Sequence, residues 1–397
     1  MRLKAWITVG CCAGACGLMA TFTAPPTLAF RPDASPGWKR HVVMRGAANS
    51  TAVAADFTGD GQIDVITNVN GKTILYVAPD WKEFVLDAAT PPRDCIHSAV
   101  MDVNGDRRPD FIGARYSPGL IFWLECSARP LEDPWTYHLV DDKVDGIHGL
   151  IVGDVDGDGR SDLAANSAQP TGPFYDSLVW YRVPPRPQQA AAWDRHVVAD
   201  HDAPGLSHYL GLGDVNGDGR TDVASAAKGG PAAKSGTGDW FAWWEAPADP
   251  TQVFKKHLIA ADQPGATNIM MADVNGDRKT DFIATRGHGK GALWFEAPDW
   301  KPHSINDTLD SPHCLAVGDI DGDGDVDAVT CAYEDRIAAW FENDGKGNFS
   351  TRVISLDQAA YDIRLADMDG DGDLDVLIAG QRSENVVWYE NPLNARR

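Results

Sequence analysis

Asp154-Val-Asp-Gly-Asp-Gly-Arg-Ser-Asp162 is the stretch that decides the fold. Carboxylates stand at its positions 1, 3, 5 and 9, glycine stands at position 6, and Leu163 follows. The spacing recurs in register six more times, from Asp56, Asp102, Asp214, Asp273, Asp319 and Asp367. Successive first aspartates are 46, 52, 60, 59, 46 and 48 residues apart. After each ninth position comes Val65, Phe111, Leu163, Val223, Phe282, Ala328 or Val376, which reads as the start of a strand.

The donor set suits calcium, which takes six to eight oxygens at roughly 2.3–2.6 Å. The expected ligands are Asp56, Thr58, Asp60 and Asp64 in the first loop, then Asp102, Asn104, Asp106 and Asp110 in the second. Asp154, Asp156, Asp158 and Asp162 follow, then Asp214, Asn216, Asp218 and Asp222, then Asp273, Asn275, Asp277 and Asp281. The last two loops offer Asp319, Asp321, Asp323 and Asp327, and Asp367, Asp369, Asp371 and Asp375. Up to seven Ca2+ sites are therefore expected. Thr58 weakens the first, and Arg107 and Arg278, standing where glycine relieves the turn, strain the second and fifth. The first half of each loop is like an EF-hand, but no glutamate follows at position 12.

Each repeat carries more than its loop. A Trp-aromatic pair closes most of them, as in Trp243-Trp244-Glu245, Trp294-Phe295-Glu296, Trp340-Phe341-Glu342 and Trp388-Tyr389-Glu390. A further short run follows several, as in Trp135-Thr-Tyr-His138, Trp193-Asp-Arg-His196 and Trp300-Lys-Pro-His303. Four short strands in a period of 46–60 residues predict an all-β, seven-bladed β-propeller of four-stranded blades. Trp38-Lys-Arg-His41-Val-Val43 matches the last strand of a blade yet precedes the first loop, and the final repeat lacks that strand. Pairing 38–43 with 385–390 would close the ring with both termini and remove the open sheet edges.

These motifs resemble the FG-GAP/VCBS repeat family of calcium-binding β-propellers, over about residues 38–391. The Trp-aromatic-Glu segment and the Trp-x-x-His run are most similar to the secreted bacterial branch and to the propellers of ulvan lyases and aldos-2-ulose dehydratase. The resemblance implies the fold and the metal; its relatives span adhesion, lectin-like binding and lyase chemistry.

The loops then act as a ruler. Residues five or six positions before each loop begin the innermost strand on the opposite face: His97, His148, His208, Asn268, His313 and Asp362. Second-strand ends send Arg115, Tyr116, Asn166, Lys228, Arg286, His288, Tyr333, Glu334 and Arg382 to the same face. Insertions Gln169–Tyr175 and Gly229–Gly236 extend two adjacent blades there. The expected ligand site comprises His97, His148, His208, Asn268, His313, Asp362, Arg286 and Tyr333, with Trp240 as a sugar-stacking candidate. If the site is catalytic, His148, His208, Tyr116, Arg115 and Arg286 are the candidates, histidine and tyrosine as acid and base and arginine against a uronate carboxylate. Three or more of the histidines converging at a ring mouth would instead hold a transition metal. His41, His138, His196, His257 and His303 lie three residues after an aromatic on outer strands and read as structural.

The formal charge is −22, from 57 acidic and 35 basic residues, and seven calcium ions would offset 14 of those charges. No basic face is evident, which speaks against nucleic acid as a partner. Arg2 and Lys4 precede an apolar run from Ala5 to Thr21, and Thr27-Leu28-Ala29 offers a cleavage site. Residues 1–29 are thus expected to be an export signal and 30–397 the propeller, secreted or periplasmic, without a membrane span and monomeric. A lipid anchor at Cys11 or Cys16 is a weaker alternative, since neither has leucine three residues before it. Cys314 and Cys331 flank the sixth loop and read either as a disulfide or as two buried thiols.

The sequence points to a calcium-stabilised propeller binding carbohydrate or another extracellular ligand, glycan or protein, on the face opposite the loops. The alternatives are a polysaccharide lyase or sugar dehydratase, and a protein-interaction or adhesion scaffold.

Overall fold

The computed structural model describes residues 37–89 and 92–393. The expected export signal, its cleavage site, Cys11 and Cys16 lie outside the described residues. Among those described are seven four-stranded antiparallel sheets and a single short 3-10 turn at Pro187–Gln189. Six sheets use four consecutive strands each; the seventh takes three from the C-terminal end of the chain and one from the N-terminal end. These are the blades, numbered here 1 to 7 in the order of their acidic loops.

The innermost strands run Ala52–Ala55, His97–Met101, Leu150–Gly153, Ser207–Gly213, Asn268–Ala272, Ala316–Gly318 and Asp362–Ala366. Every ninth aspartate is the first residue of the strand that follows: Asp64, Asp110, Asp162, Asp222, Asp281, Asp327 and Asp375. The acidic loop is therefore the hairpin connection between first and second strands in every blade.

The ring closes as the repeat count requires. Lys39–Arg45 pairs antiparallel with Asn385–Glu390, with His41 opposite Trp388 and Lys39 opposite Glu390. Val43, Leu377, Ala379 and Val386 of blade 7 then share one apolar cluster with Ala52, Val65, Ile74 and Tyr76 of blade 1. The remaining clusters likewise span neighbouring blades; Trp123 and Ile112 of blade 2 pack with Leu163 and Tyr181 of blade 3. Six of the seven second strands are buried along their full length, as in Asp162–Ser167 and Asp222–Ala227, because each is covered by a blade on either side. Burying side chains of Leu, Ile or Phe size stabilises by about 1.5–3 kcal/mol each.

Trp123, Trp180 and Trp244 are among the largest fully buried side chains. Trp240 is buried too, and its indole N–H donates to the Pro204 carbonyl at 2.9 Å. This corrects its assignment as an exposed sugar platform: the ring is buried in the apolar cluster shared by blades 3 and 4, edge-on to Trp244 at 5.8 Å and covered by Lys256 at 4.8 Å. Cys314 and Cys331 are buried free thiols. No helix among the described residues is long and apolar enough to cross a membrane.

Candidate functional site

The two faces of the ring are chemically different. On one lie the acidic loops, in six of which the first aspartate accepts backbone N–H groups from positions 4, 5 and 6. In the third loop Gly157 and Asp158 donate to Asp154 Oδ1 at 2.8 and 3.1 Å, and Gly159 donates to Oδ2 at 2.9 Å. The ninth aspartate has a separate task. Asp327 accepts Ile320 N–H on one oxygen at 3.2 Å and Asn343 N–H on the other at 2.8 Å. Asp110, Asp222, Asp281 and Asp375 repeat this double clamp between the loop and the end of the third strand. The invariance of position 9 thus has a backbone cause as well as any metal cause.

The loops still fit a hard cation. Burial raises the pKa of the ninth aspartates, to about 7 at Asp110, Asp162 and Asp375, and nearby loop carboxylates add to it. Asp154, Asp156 and Asp162 each bring one carboxylate oxygen within 4.8 Å of the other two, as do Asp319, Asp321 and Asp327, and Asp367, Asp369 and Asp371. The second, fourth and fifth loops differ: Arg108, Arg220 and Lys279 at position 7 reach the fifth-position carboxylates Asp106, Asp218 and Asp277. Arg107 and Arg278 also hold left-handed backbone at φ 70° and 67°, where the other five loops have glycine.

On the opposite face, five imidazoles meet. His97 Nε2 lies 3.4 Å from His148 Nδ1, and His208 Nε2 lies 3.0 Å from His288 Nε2. His148 stacks on His208 at 4.1 Å, and His313 is 5.6 Å from His148 and 5.1 Å from His288, ring centre to ring centre. His97, His208 and His313 are buried, His148 is half-buried, and His288 is exposed. Burial, followed by the neighbouring imidazoles, holds His208 and His313 well below the ordinary histidine range. Burial brings His148 down to about 4, with Lys228 adding to the effect. These rings are neutral at neutral pH.

Tyr209 crosses between them. It packs edge-on to His97 at 4.7 Å, and its hydroxyl meets His313 Nδ1 at 3.3 Å and donates to the Tyr361 carbonyl. The register of the inner strand of blade 4 shifts between Ser207 and Leu210, and this irregularity frees both His208 and Tyr209 from regular pairing. From His313 an aromatic ladder runs outward through Tyr361 at 4.1 Å and Tyr333 at 4.9 Å, and Arg382 covers Tyr333 at 4.3 Å.

The other expected residues divide. Tyr116 reaches the group, edge-on to His148 at 6.0 Å, and accepts a hydrogen bond from Gln169 of the blade-3 insertion. Asp362 is buried and engaged, accepting Thr51 Oγ1 at 2.8 Å and pairing with Arg364 at 3.0 Å, so it ties blade 7 to blade 1. Asn268 is buried, and its side-chain oxygen has no hydrogen-bond partner. Arg286 donates to the Gln263 side chain at 2.6 Å. Arg115 turns away, over Phe122 and toward Asp87 at 3.6 Å. Neither arginine contacts the histidines. Tyr209 and Tyr361 were not among the expected residues; each is the sequence neighbour of one that was, His208 and Asp362, which is the signal that would have found them.

The FG-GAP-like repeat family matches residues 102–165, 214–284 and 319–378, three spans that each contain two acidic loops and the strands around them. The chain belongs to the FG-GAP β-propeller family. No curated protein matches the sequence. Among solved structures, a streptogramin B lyase structure superposes with a TM-score of 0.59 at 9% identity, covering 90% of this chain and 99% of that one. BBS1N, crystallised in complex with ARL6DN and soaked with lead, gives a TM-score of 0.58 at 11% identity over 89% of this chain and 97% of that one. At such identities these likenesses concern the fold.

Proposed function

We propose that this propeller is an exported, calcium-stabilised binding protein that takes a carbohydrate at the channel mouth opposite the acidic loops. The observation that carries the reading is the convergence there of five neutral imidazoles with Tyr209, Tyr361, Tyr333 and Tyr116. Imidazole nitrogens and phenol hydroxyls donate and accept hydrogen bonds, and tyrosine rings offer flat apolar faces; sugars need both. The half-exposed Tyr175, in the blade-3 insertion and stacked on His201 at 3.8 Å, extends aromatic surface beyond the mouth.

In the loops, the side-chain oxygens at positions 1, 3 and 5 would hold calcium, most tightly in the sixth and seventh, where position 7 is Asp325 or Asp373 and brings no cation. Calcium would fix each hairpin and so the ring; no chemistry at the mouth runs through it. A lyase reading has one supporting observation: half-buried, neutral His148 beside Tyr116 is a base and acid pair of the kind elimination needs.

A screen of the purified chain against neutral and uronate-containing glycans tests both. Binding that is lost when His148 and His208 are replaced together by alanine supports the site. Unchanged binding in that variant places the site elsewhere. A rise in ultraviolet absorbance from an unsaturated product would move the assignment from binding to lyase.

A further inference from the structure

We propose that His148, His208 and His313 bind one divalent transition-metal ion, of the Zn2+, Co2+ or Ni2+ class, at the mouth of the central channel. One ring nitrogen of each lies within 4.8 Å of those of the other two. A tetrahedral ion with bonds of ~2.0–2.1 Å needs nitrogens ~3.3 Å apart, so small inward ring shifts would complete the set.

The hydrogen bonds decide which nitrogens are available. His208 Nδ1 faces the Leu206 carbonyl at 2.8 Å, so Nδ1 carries the proton and Nε2 keeps its lone pair. The Tyr209 hydroxyl donates to the Tyr361 carbonyl, so its oxygen receives the proton of His313 Nδ1 at 3.3 Å. His313 Nε2 is then also an unprotonated acceptor. It is buried, in a residue only 1% exposed, and has no hydrogen-bond partner. A buried acceptor left unpaired is unfavourable, and a coordinated metal would satisfy it. Anchoring the far nitrogen of a histidine to a carbonyl or hydroxyl is also how ligand rings are held in a fixed tautomer.

The donor set selects the metal class. No ion pair joins any of the five mouth histidines to a carboxylate among the described residues. Neutral imidazole favours borderline ions over calcium or magnesium, which want oxygen. His288 Nε2, 3.0 Å from His208 Nε2, is within reach of the same ion from the rim. Lys228, whose charge acts on His148 and His288, opposes a dication, an opposition that the ring nitrogens must outweigh. A metal bound here needs no glycan, and a glycan needs no metal, so the two readings fail separately.

The test is cobalt titration of the full chain after chelator treatment, in excess calcium so that the acidic loops are saturated. One Co2+ per chain is expected, with the intense visible bands of a tetrahedral nitrogen site, displaced by one equivalent of Zn2+. His208→Ala and His313→Ala should each weaken that binding by at least the roughly 10–100-fold that loss of an outer-shell partner costs, while His138→Ala leaves it unchanged. Absence of tetrahedral bands in the unsubstituted protein overturns the proposal whether or not any variant folds. Tetrahedral bands that persist in both mouth variants overturn it equally.

Discussion

Two sets of five histidines occupy this ring, and their surroundings are opposite. On the outer strands His41, His138, His196, His257 and His303 each stack on the tryptophan of the next strand, with ring centres 3.9 to 4.4 Å apart. Four of them also meet a glutamate from that strand: Glu390, Glu125, Glu245 or Glu296, at 2.7 to 3.0 Å. His196 has Arg182 at the corresponding place, and its Nε2 is buried without a partner. At the channel mouth His97, His148, His208, His288 and His313 have one another and tyrosines instead. The outer set repeats with the blade and, His196 Nε2 aside, is satisfied within it. The mouth set is assembled from different blades and leaves nitrogens unused. One residue type thus serves the scaffold in one place and offers chemistry in the other.

The contrast breaks first if the scaffold side does not carry the stability. Asp327→Ala strips acceptors from two buried backbone N–H groups, Ile320 and Asn343, at about 1–3 kcal/mol each, so a loss of about 3 kcal/mol or more is expected. Denaturant unfolding with and without chelator separates the causes. A loss that persists without calcium comes from the backbone clamp; one that vanishes comes from the metal alone and sinks the clamp. Calcium removal comes next. A loop with a dissociation constant of ~10 μM in ~1 mM calcium contributes about 2.7 kcal/mol. Chelation should therefore lower the melting temperature, and an unmoved transition would end the calcium assignment. Within that effect, alanine at Asp319 or Asp367 should remove more calcium stabilisation than alanine at Asp102 or Asp273, whose loops carry a left-handed arginine.

Much of this was legible because a propeller writes its architecture as a period. The loop spacing gave the blade count, and the unmatched Trp38–Val43 run gave the closing strand, which the observed pairing of His41 with Trp388 bears out. The period also separated the two sets of histidines. What it could not show is where regularity fails. Tyr209 reaches across the mouth because the inner strand of blade 4 shifts register, and nothing in local composition marks that shift. Trp240 stands next to an insertion in sequence, but its burial is decided by Trp244, Lys256 and the neighbouring blade's cluster, which the local sequence does not show. Arg115 and Arg286 end the right strands, but arginine is long, and each found a partner away from the mouth: Asp87 with Phe122, and Gln263. Position 9 seemed to need a metal because the two backbone donors that it serves are distant in sequence.

The finest test exchanges one histidine from each set. His138→Ala removes a stack on Trp123 at 4.2 Å and a bond to Glu125 at 3.0 Å. An aromatic pair and a hydrogen bond each contribute about 0.5–1.5 kcal/mol, so unfolding should shift by about 1–2 kcal/mol with ligand and metal binding intact. His148→Ala should do the reverse. Its ring is half-buried, neutral and hydrogen-bonded only weakly, 3.4 Å from His97, and its main contact is the stack on His208 at 4.1 Å, so stability should fall by no more than about 0.5–1.5 kcal/mol, less than for His138→Ala, while binding at the mouth is lost. Denaturation curves and binding isotherms on the same two variants decide the matter. If His148→Ala proves the more destabilising and leaves binding untouched, the mouth histidines are packing residues of the channel, and the distinction between the two sets collapses.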